Sequence, residues 1–239
     1  MQPAVITIDG PAGSGKSTVG NLLAQKINYL FFDTGILYRA VTLAAIEYTV
    51  AINNEGELSR LAEKVKIDLH PPAANEVDGR LLTVLLDGVD VTWQIRTAEV
   101  ERNVSPVSAI GGVRKALTEQ QRRIGHYYGT GHAEKPGIVM VGRDIGTVVM
   151  PEAPIKIYLE ATAPERARRR SDELRARGKV TDYTLVLADI ERRDQIDSSR
   201  ALAPLRPAAD ALIIDTTALS PEEVVDTIYQ AISQYQPTY

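Results

Sequence analysis

The chain has 239 residues, 44% of them hydrophobic and 24% charged, with a net charge of −4 and no cysteine. This is the composition of a globule long enough to bury a core. It excludes a disulfide scaffold and any thiolate nucleophile or metal site, and an acidic chain is not drawn as a whole to nucleic acid. No apolar run approaches membrane-spanning length and no leader pattern opens the chain, so the expectation is a cytoplasmic protein without a membrane partner. With no separate dimerisation element visible a monomer is expected, and the net charge with only 5% aromatics argues against a nucleic-acid partner.

In chain order, Val5–Ile8 is a short buried strand. It is followed by Asp9-Gly-Pro-Ala-Gly-Ser-Gly-Lys-Ser-Thr18, which fits G-x-x-x-x-G-K-[ST]. Strand before and helix after are the context that pattern requires. The glycines let main-chain N–H groups surround a phosphate, and the helix N-terminus adds about half a positive charge. Gly10, Pro11, Ala12, Gly13, Ser14, Gly15, Lys16, Ser17 and Thr18 are therefore the candidate triphosphate cradle. Lys16 reaches the β and γ phosphates, and the Ser17 hydroxyl suits Mg²⁺.

Helix Ser17–Ile27, strand Tyr29–Phe32 and helix Gly35–Val50 follow. At the strand's end, Asp33-Thr34-Gly35 with Tyr38 and Arg39 offers hydroxyls and a guanidinium where open α/β sheets bind ligands; a local helix cap is the simpler reading of Asp33 and Thr34. Val65–Thr92 breaks the alternation. It holds strand-like pieces at Lys66–Leu69, Arg80–Leu86 and Val89–Thr92, with Asp87-Gly88 marking a tight hairpin. Helices Ala98–Ile110 and Val113–Tyr127 and a polar loop Gly129–Gly137 lead to strand Ile138–Val141.

Gly142-Arg143-Asp144 ends that strand and places an arginine and a carboxylate at a loop suited to function. After strand Ile155–Leu159 come helices Pro164–Arg177 and Tyr183–Ser198, strand Ala211–Ile214 and a last helix opened by Ser220-Pro221-Glu-Glu. Of the 19 arginines, nine lie between Arg166 and Arg200, a concentration suited to phosphates, although i,i+4 ion pairs account for part of it. Arg193, Asp197 and Arg200 share one helix face, as an ion-pair ladder or as a ligand site. The whole pattern is α/β. It predicts a P-loop NTPase-type doubly wound sheet of five parallel strands with helices on both faces, plus a small inserted antiparallel β module.

Five strings, Ile-Asp-Gly-Pro-Ala-Gly-Ser-Gly-Lys-Ser-Thr (8–18), Asp-Thr-Gly-x-x-Tyr-Arg (33–39), Ile-Arg-Thr (95–97), Gly-Arg-Asp-Ile-Gly-Thr-Val-Val (142–149) and Arg-Asp-x-x-Asp-Ser-x-Arg (193–200), together resemble bacterial cytidylate kinase from about residue 3 to residue 230. The resemblance implies one P-loop kinase domain with a core at about 1–64 and 128–239, a monophosphate-binding insert at about 65–127 and a lid at about 165–182 carrying Arg166, Arg169 and Arg170.

It implies transfer of the γ-phosphoryl group of ATP to CMP or dCMP, with Mg²⁺. Thr34, Arg39 and Arg143 would hold the acceptor phosphate, with Arg200 helping and Tyr38 beside them. Ser105, Arg114 and Asp144 would read cytosine, and Arg193 and Asp197 would contact the pentose. Lys16, Arg143, Arg193 and Arg200 would carry the catalysis. Family members usually bear an acid where Val141 stands, which leaves Asp33 or Asp144 for magnesium-bound water. Alternatives are a P-loop kinase for UMP, AMP, shikimate or dephospho-coenzyme A, and a non-enzymatic nucleotide switch. The switch needs an Asn-Lys-x-Asp guanine signature that the chain lacks.

Overall fold

The structure, a computed structural model, describes residues 4–70, 72–73, 75–131, 133–176 and 178–235. The chain divides into two compact units, one of residues 1–31 with 124–239 and one of residues 32–123.

The first unit is built on a five-stranded parallel sheet in the order β2-β6-β1-β7-β8. The strands are β1 (Val5–Asp9), β2 (Leu30–Asp33, which runs on across the division), β6 (Ile138–Gly142), β7 (Ile155–Glu160) and β8 (Leu212–Asp215). β1 is central, with Val5 opposite Ile138 and Ile6 opposite Ile155. Its five residues are all buried, as expected of a strand covered on both faces.

Ile6, Ile8, Val139 and Val141 pack with Val19, Leu23 and Ile27 of α1 (Lys16–Ile27) and with Val224, Ile228 and Ile232 of α8 (Pro221–Gln234). The alternate face carries Met140, which lies against Gly125 of α5 (Gly111–Gly129). α6 (Ala163–Ala176) and α7 (Tyr183–Ser199) follow β7. α8 starts as its sequence demands. The Ser220 hydroxyl accepts from the Glu223 N–H, the Glu223 carboxylate accepts from the Ser220 N–H, and Pro221 fills the first turn.

The second unit holds α2 (Gly35–Glu47), α3 (Glu55–Lys64), an antiparallel sheet β3-β4-β5 (Ile67–His70, Thr83–Leu86, Val89–Asp90), α4 (Ala98–Ala109) and the start of α5. The Asp87-Gly88 turn has φ of 49° and 84°, as a two-residue hairpin of this hand requires.

Three expectations need correction. α3 is a helix the sequence reading passed over, although Asn54 caps it by accepting from the Glu57 N–H. β4 begins at Thr83, not Arg80, because the Arg80 guanidinium is taken up by Asp78, Glu76 and Asp90. β5 ends at Asp90: the Thr92 hydroxyl, rather than a backbone carbonyl, accepts from the Val84 N–H. The remaining boundaries agree within a few residues; Arg177, the expected end of α6, lies outside the described residues.

Candidate functional site

In the first unit the chain leaves β1 at Asp9 and enters α1 at Lys16, so the six residues between must turn through nearly a full reversal. Gly10, at φ 149°, runs so close to the Leu159 carbonyl that a Cβ would collide with it. Gly13 and Gly15 also take positive φ, 78° and 92°. No side chain caps α1 and its first turn holds no acid, an arrangement suited to an anion at the helix's positive end.

Lys16 is only 6% exposed. Its Nζ crosses the loop to donate to the Pro11 carbonyl (2.7 Å) and the Ser14 hydroxyl (3.3 Å). Ser17 and Thr18 are exposed at the start of the helix, and Ser14 is buried.

α6 fastens the loop from behind. Arg166 donates to the Ala12 carbonyl (3.0 Å) and forks onto Asp194 of α7 (3.0 and 2.6 Å). Arg169 donates to Thr216, whose hydroxyl donates in turn to the Ser14 carbonyl. Arg168, Arg170 and Arg175 instead engage Glu165, Asp172 and Glu173 on their own helix. The arginine-rich stretch thus divides into inward anchors and solvated pairs.

A second cluster of this unit lies at the end of β6. Arg143 Nε donates to Asp197 (3.0 Å), and the same carboxylate stands 3.5 Å from Arg200. Two guanidiniums thus converge on one acid, with Arg200 and Asp197 side chains 5% and 11% exposed. Arg193 is on the same helix, 3.9 Å from Asp189 a turn earlier. Asp144 is buried at the start of a π-helical turn, Ile145–Val149, which no sequence signal announced.

Asp9 was quoted in the loop motif without a role, yet it is the most perturbed carboxyl of this region. It is 4% exposed and accepts from the N–H groups of Ile145 (2.9 Å) and Gly146 (2.7 Å). Burial raises its pKa to about 6; the two N–H groups pull it down, nearby Asp144 pushes it up and Lys16 lowers it. An acid ending an otherwise apolar buried strand was the available signal.

In the second unit, Thr34 precedes α2 without capping it through its side chain, while Asp33 accepts from the Gly35 N–H (3.0 Å). The capping reading therefore holds for Asp33. Arg39 donates to the Ile95 carbonyl (3.3 Å). Arg114, 4% exposed, donates to the Ser108 carbonyl (3.0 Å) and stacks over the Tyr38 ring at 5.5 Å. Ser105 is buried on α4 one turn before Ser108. Ile95 and Ser108 thus each hold a guanidinium through a main-chain carbonyl, and Tyr38 stacks with that of Arg114.

Among the described residues no cluster of three His, Cys, Asp or Glu forms a metal cage, and no helix is long and apolar enough to cross a membrane.

A Gly-Lys-Ser phosphate loop at the central strand of a doubly wound parallel sheet defines a P-loop protein. A family model for cytidylate kinase matches residues 6–234. The cytidylate kinase of Herpetosiphon aurantiacus is 48% identical over 226 residues, covering 95% of this chain and 93% of that one. That of Roseiflexus castenholzii is 46% identical over 231 residues, covering 97% and 94%. A shikimate kinase from Bacteroides thetaiotaomicron superposes with a TM-score of 0.47 at 11% identity, over 96% of this chain and 98% of that one. The chain belongs to the cytidylate kinase family.

Proposed function

We propose that this protein transfers the γ-phosphoryl group of ATP to CMP or dCMP, giving ADP and CDP or dCDP. The family match across residues 6–234 carries the reading, and the loop from Gly10 to Lys16, with α1 left uncapped behind it, supports the donor half.

The acceptor phosphate is already anionic at neutral pH, so no strong general base is needed. The work is to bring two polyanions into line and screen their repulsion. The amides of residues 10–15 and Lys16 take the triphosphate. Arg143 and Arg200, held by Asp197, supply a pair of guanidiniums for the acceptor phosphate, together with Thr34 and Arg39; Tyr38 stands by as a hydroxyl donor. Arg193 and Asp197 are assigned to the pentose.

For the base, Asp144 accepts from the cytosine amine and Arg114 and Ser105 address the rest of its edge. Uracil reverses donor and acceptor there, and each buried group left unpaired costs roughly 1–3 kcal/mol.

Mg²⁺ suits oxygen donors: the Ser17 hydroxyl would be a ligand, and Asp33 or Asp144 would hold it through water. When bound it neutralises charge on the transferred group. Residues 165–182 act as the lid, rooted by Arg166 and Arg169 and carrying Arg170, and closure excludes water as a competing acceptor. The insert at 65–127 serves monophosphate binding within one kinase domain. A monomer in the cytoplasm, without nucleic-acid partner, is the assembly we propose.

The test is an acceptor panel with ATP, following ADP release, over CMP, dCMP, UMP, AMP, shikimate and dephospho-coenzyme A. CMP and dCMP are expected to give the highest kcat/KM; a higher value for any other acceptor overturns the assignment.

A further inference from the structure

The π-helical turn Ile145–Val149 has no side-chain cap of its own: Asp144, at its cap position, accepts from the Val148 and Val149 N–H groups through its main-chain carbonyl (2.9 and 3.1 Å), and its side chain makes no cap bond. Its first two N–H groups are instead taken by a residue from far away in the chain. Asp9 Oδ1 accepts from Ile145 and Oδ2 from Gly146, one oxygen to each amide. Asp9 is paired with Gly142 across the β1–β6 ladder, so the same residue meets both ends of the Gly142-Arg143-Asp144 segment. It is also the last residue before the phosphate loop. The turn lies close against β1: a Cβ on Gly146 would stand 2.9 Å from the Thr7 hydroxyl, so position 146 has little room to move.

We propose that Asp9 is a positioning residue for the acceptor side of the reaction: its carboxylate, forked onto Ile145 and Gly146, fixes Arg143 and Asp144 in register with the phosphate loop. The proposal rests on the reading of Asp144 and Arg143 as acceptor-binding groups. Both Asp9 oxygens are engaged with amides, so the residue acts through the loop it holds and not on substrate. Its burial and raised pKa accord with a group kept for geometry at an energetic cost.

Asp9→Ala and Asp9→Asn test this against the wild type. Residue-resolved amide hydrogen exchange reads the pinning without any acceptor. In Asp9→Ala, exchange at Ile145 and Gly146 is expected to accelerate at least about tenfold while Ile6 and Ile8 of β1 hold within about threefold, the size of one lost charge-assisted hydrogen bond. In kinetics, KM for CMP rises at least about tenfold, the CMP-over-UMP ratio of kcat/KM falls, and the ATP Kd from calorimetry moves less than about threefold, as loss of aim at one subsite predicts. Asp9→Asn keeps one acceptor oxygen and falls between; it carries the test if the alanine variant does not fold.

Unchanged exchange at the two amides, an unaltered CMP-over-UMP ratio, or equal losses for ATP and CMP each overturn the proposal. A wild type that turns over no CMP overturns the functional reading instead, and the exchange arm still decides whether Asp9 pins the turn.

Discussion

Asp197 holds two arginines that we propose for the acceptor phosphate, and its removal has a calculable cost. Its carboxylate is 3.0 Å from Arg143 and 3.5 Å from Arg200. At an effective dielectric of about 20, unit charges roughly 4 Å apart attract by about 4 kcal/mol, and most of that is offset by desolvation. Deleting one member of a buried cluster costs about 3–5 kcal/mol, because the partners remain in place without their counter-charge. Arg143 is partly open to water at 27% exposure, which puts Asp197→Ala near the lower end, about 3 kcal/mol. For a chain of this size that corresponds to a fall in Tm of roughly 6–12 °C. Thermal melting of the ligand-free variant measures it directly. A ligand-free variant melting within about 2 °C of wild type refutes the claim that Asp197 holds the pair together.

Lys16→Ala is expected to lower kcat at least about a hundredfold, the usual loss on removing one charge-stabilising donor, with far-ultraviolet circular dichroism unchanged; near-normal kcat excludes Lys16 from the triphosphate. Asp144→Ala narrows the CMP-over-UMP ratio of kcat/KM about ten- to a hundredfold, and an unchanged ratio removes it from base reading. The Asp9 carboxyl is raised from 3.8 to about 6, so the folded state binds its proton more tightly than the unfolded chain. Its contribution is therefore full below the unfolded value and is lost as pH rises through 6, an amount of about 3 kcal/mol. Urea midpoints of wild type and Asp9→Asn between pH 4 and 7 check this: the wild type loses stability relative to the variant as pH rises, and parallel curves contradict it.

The parts of the molecule that follow a period or a fixed motif were legible in the sequence. The five parallel strands, the Gly10–Ser17 loop and the Asp87-Gly88 hairpin each rest on local chemistry that a few residues specify. Asp197 and Arg200 were legible as neighbours on one helix face, but that the same acid would also gather Arg143 depends on how the loop after β6 meets α7, which no local pattern encodes. Asp9 escaped for the same reason: its partners lie more than a hundred residues on, in a π turn without sequence signature. The α3 helix escaped for another. Its Asn54 cap and Glu57 were legible, but only Leu58 and Ala62 are buried, too few to show a helical period. The resemblance places Arg166 in the lid segment; that it would bond Ala12 and Asp194 at the base of that segment depends on contacts 154 and 28 residues away, which no local pattern encodes.

The central position of β1 has a consequence for synthesis. Val5 finds its first neighbour in Ile138, and Ile6 finds its other in Ile155. The whole of residues 32–123, a compact unit, emerges from the ribosome before either strand exists. The opening apolar strand therefore waits, unpaired and prone to stray association, while a complete module is made behind it. A nascent chain halted anywhere before residue 138 has the Gly10–Lys16 loop but neither of the strands that flank β1, so the motif is translated long before the sheet that shapes it.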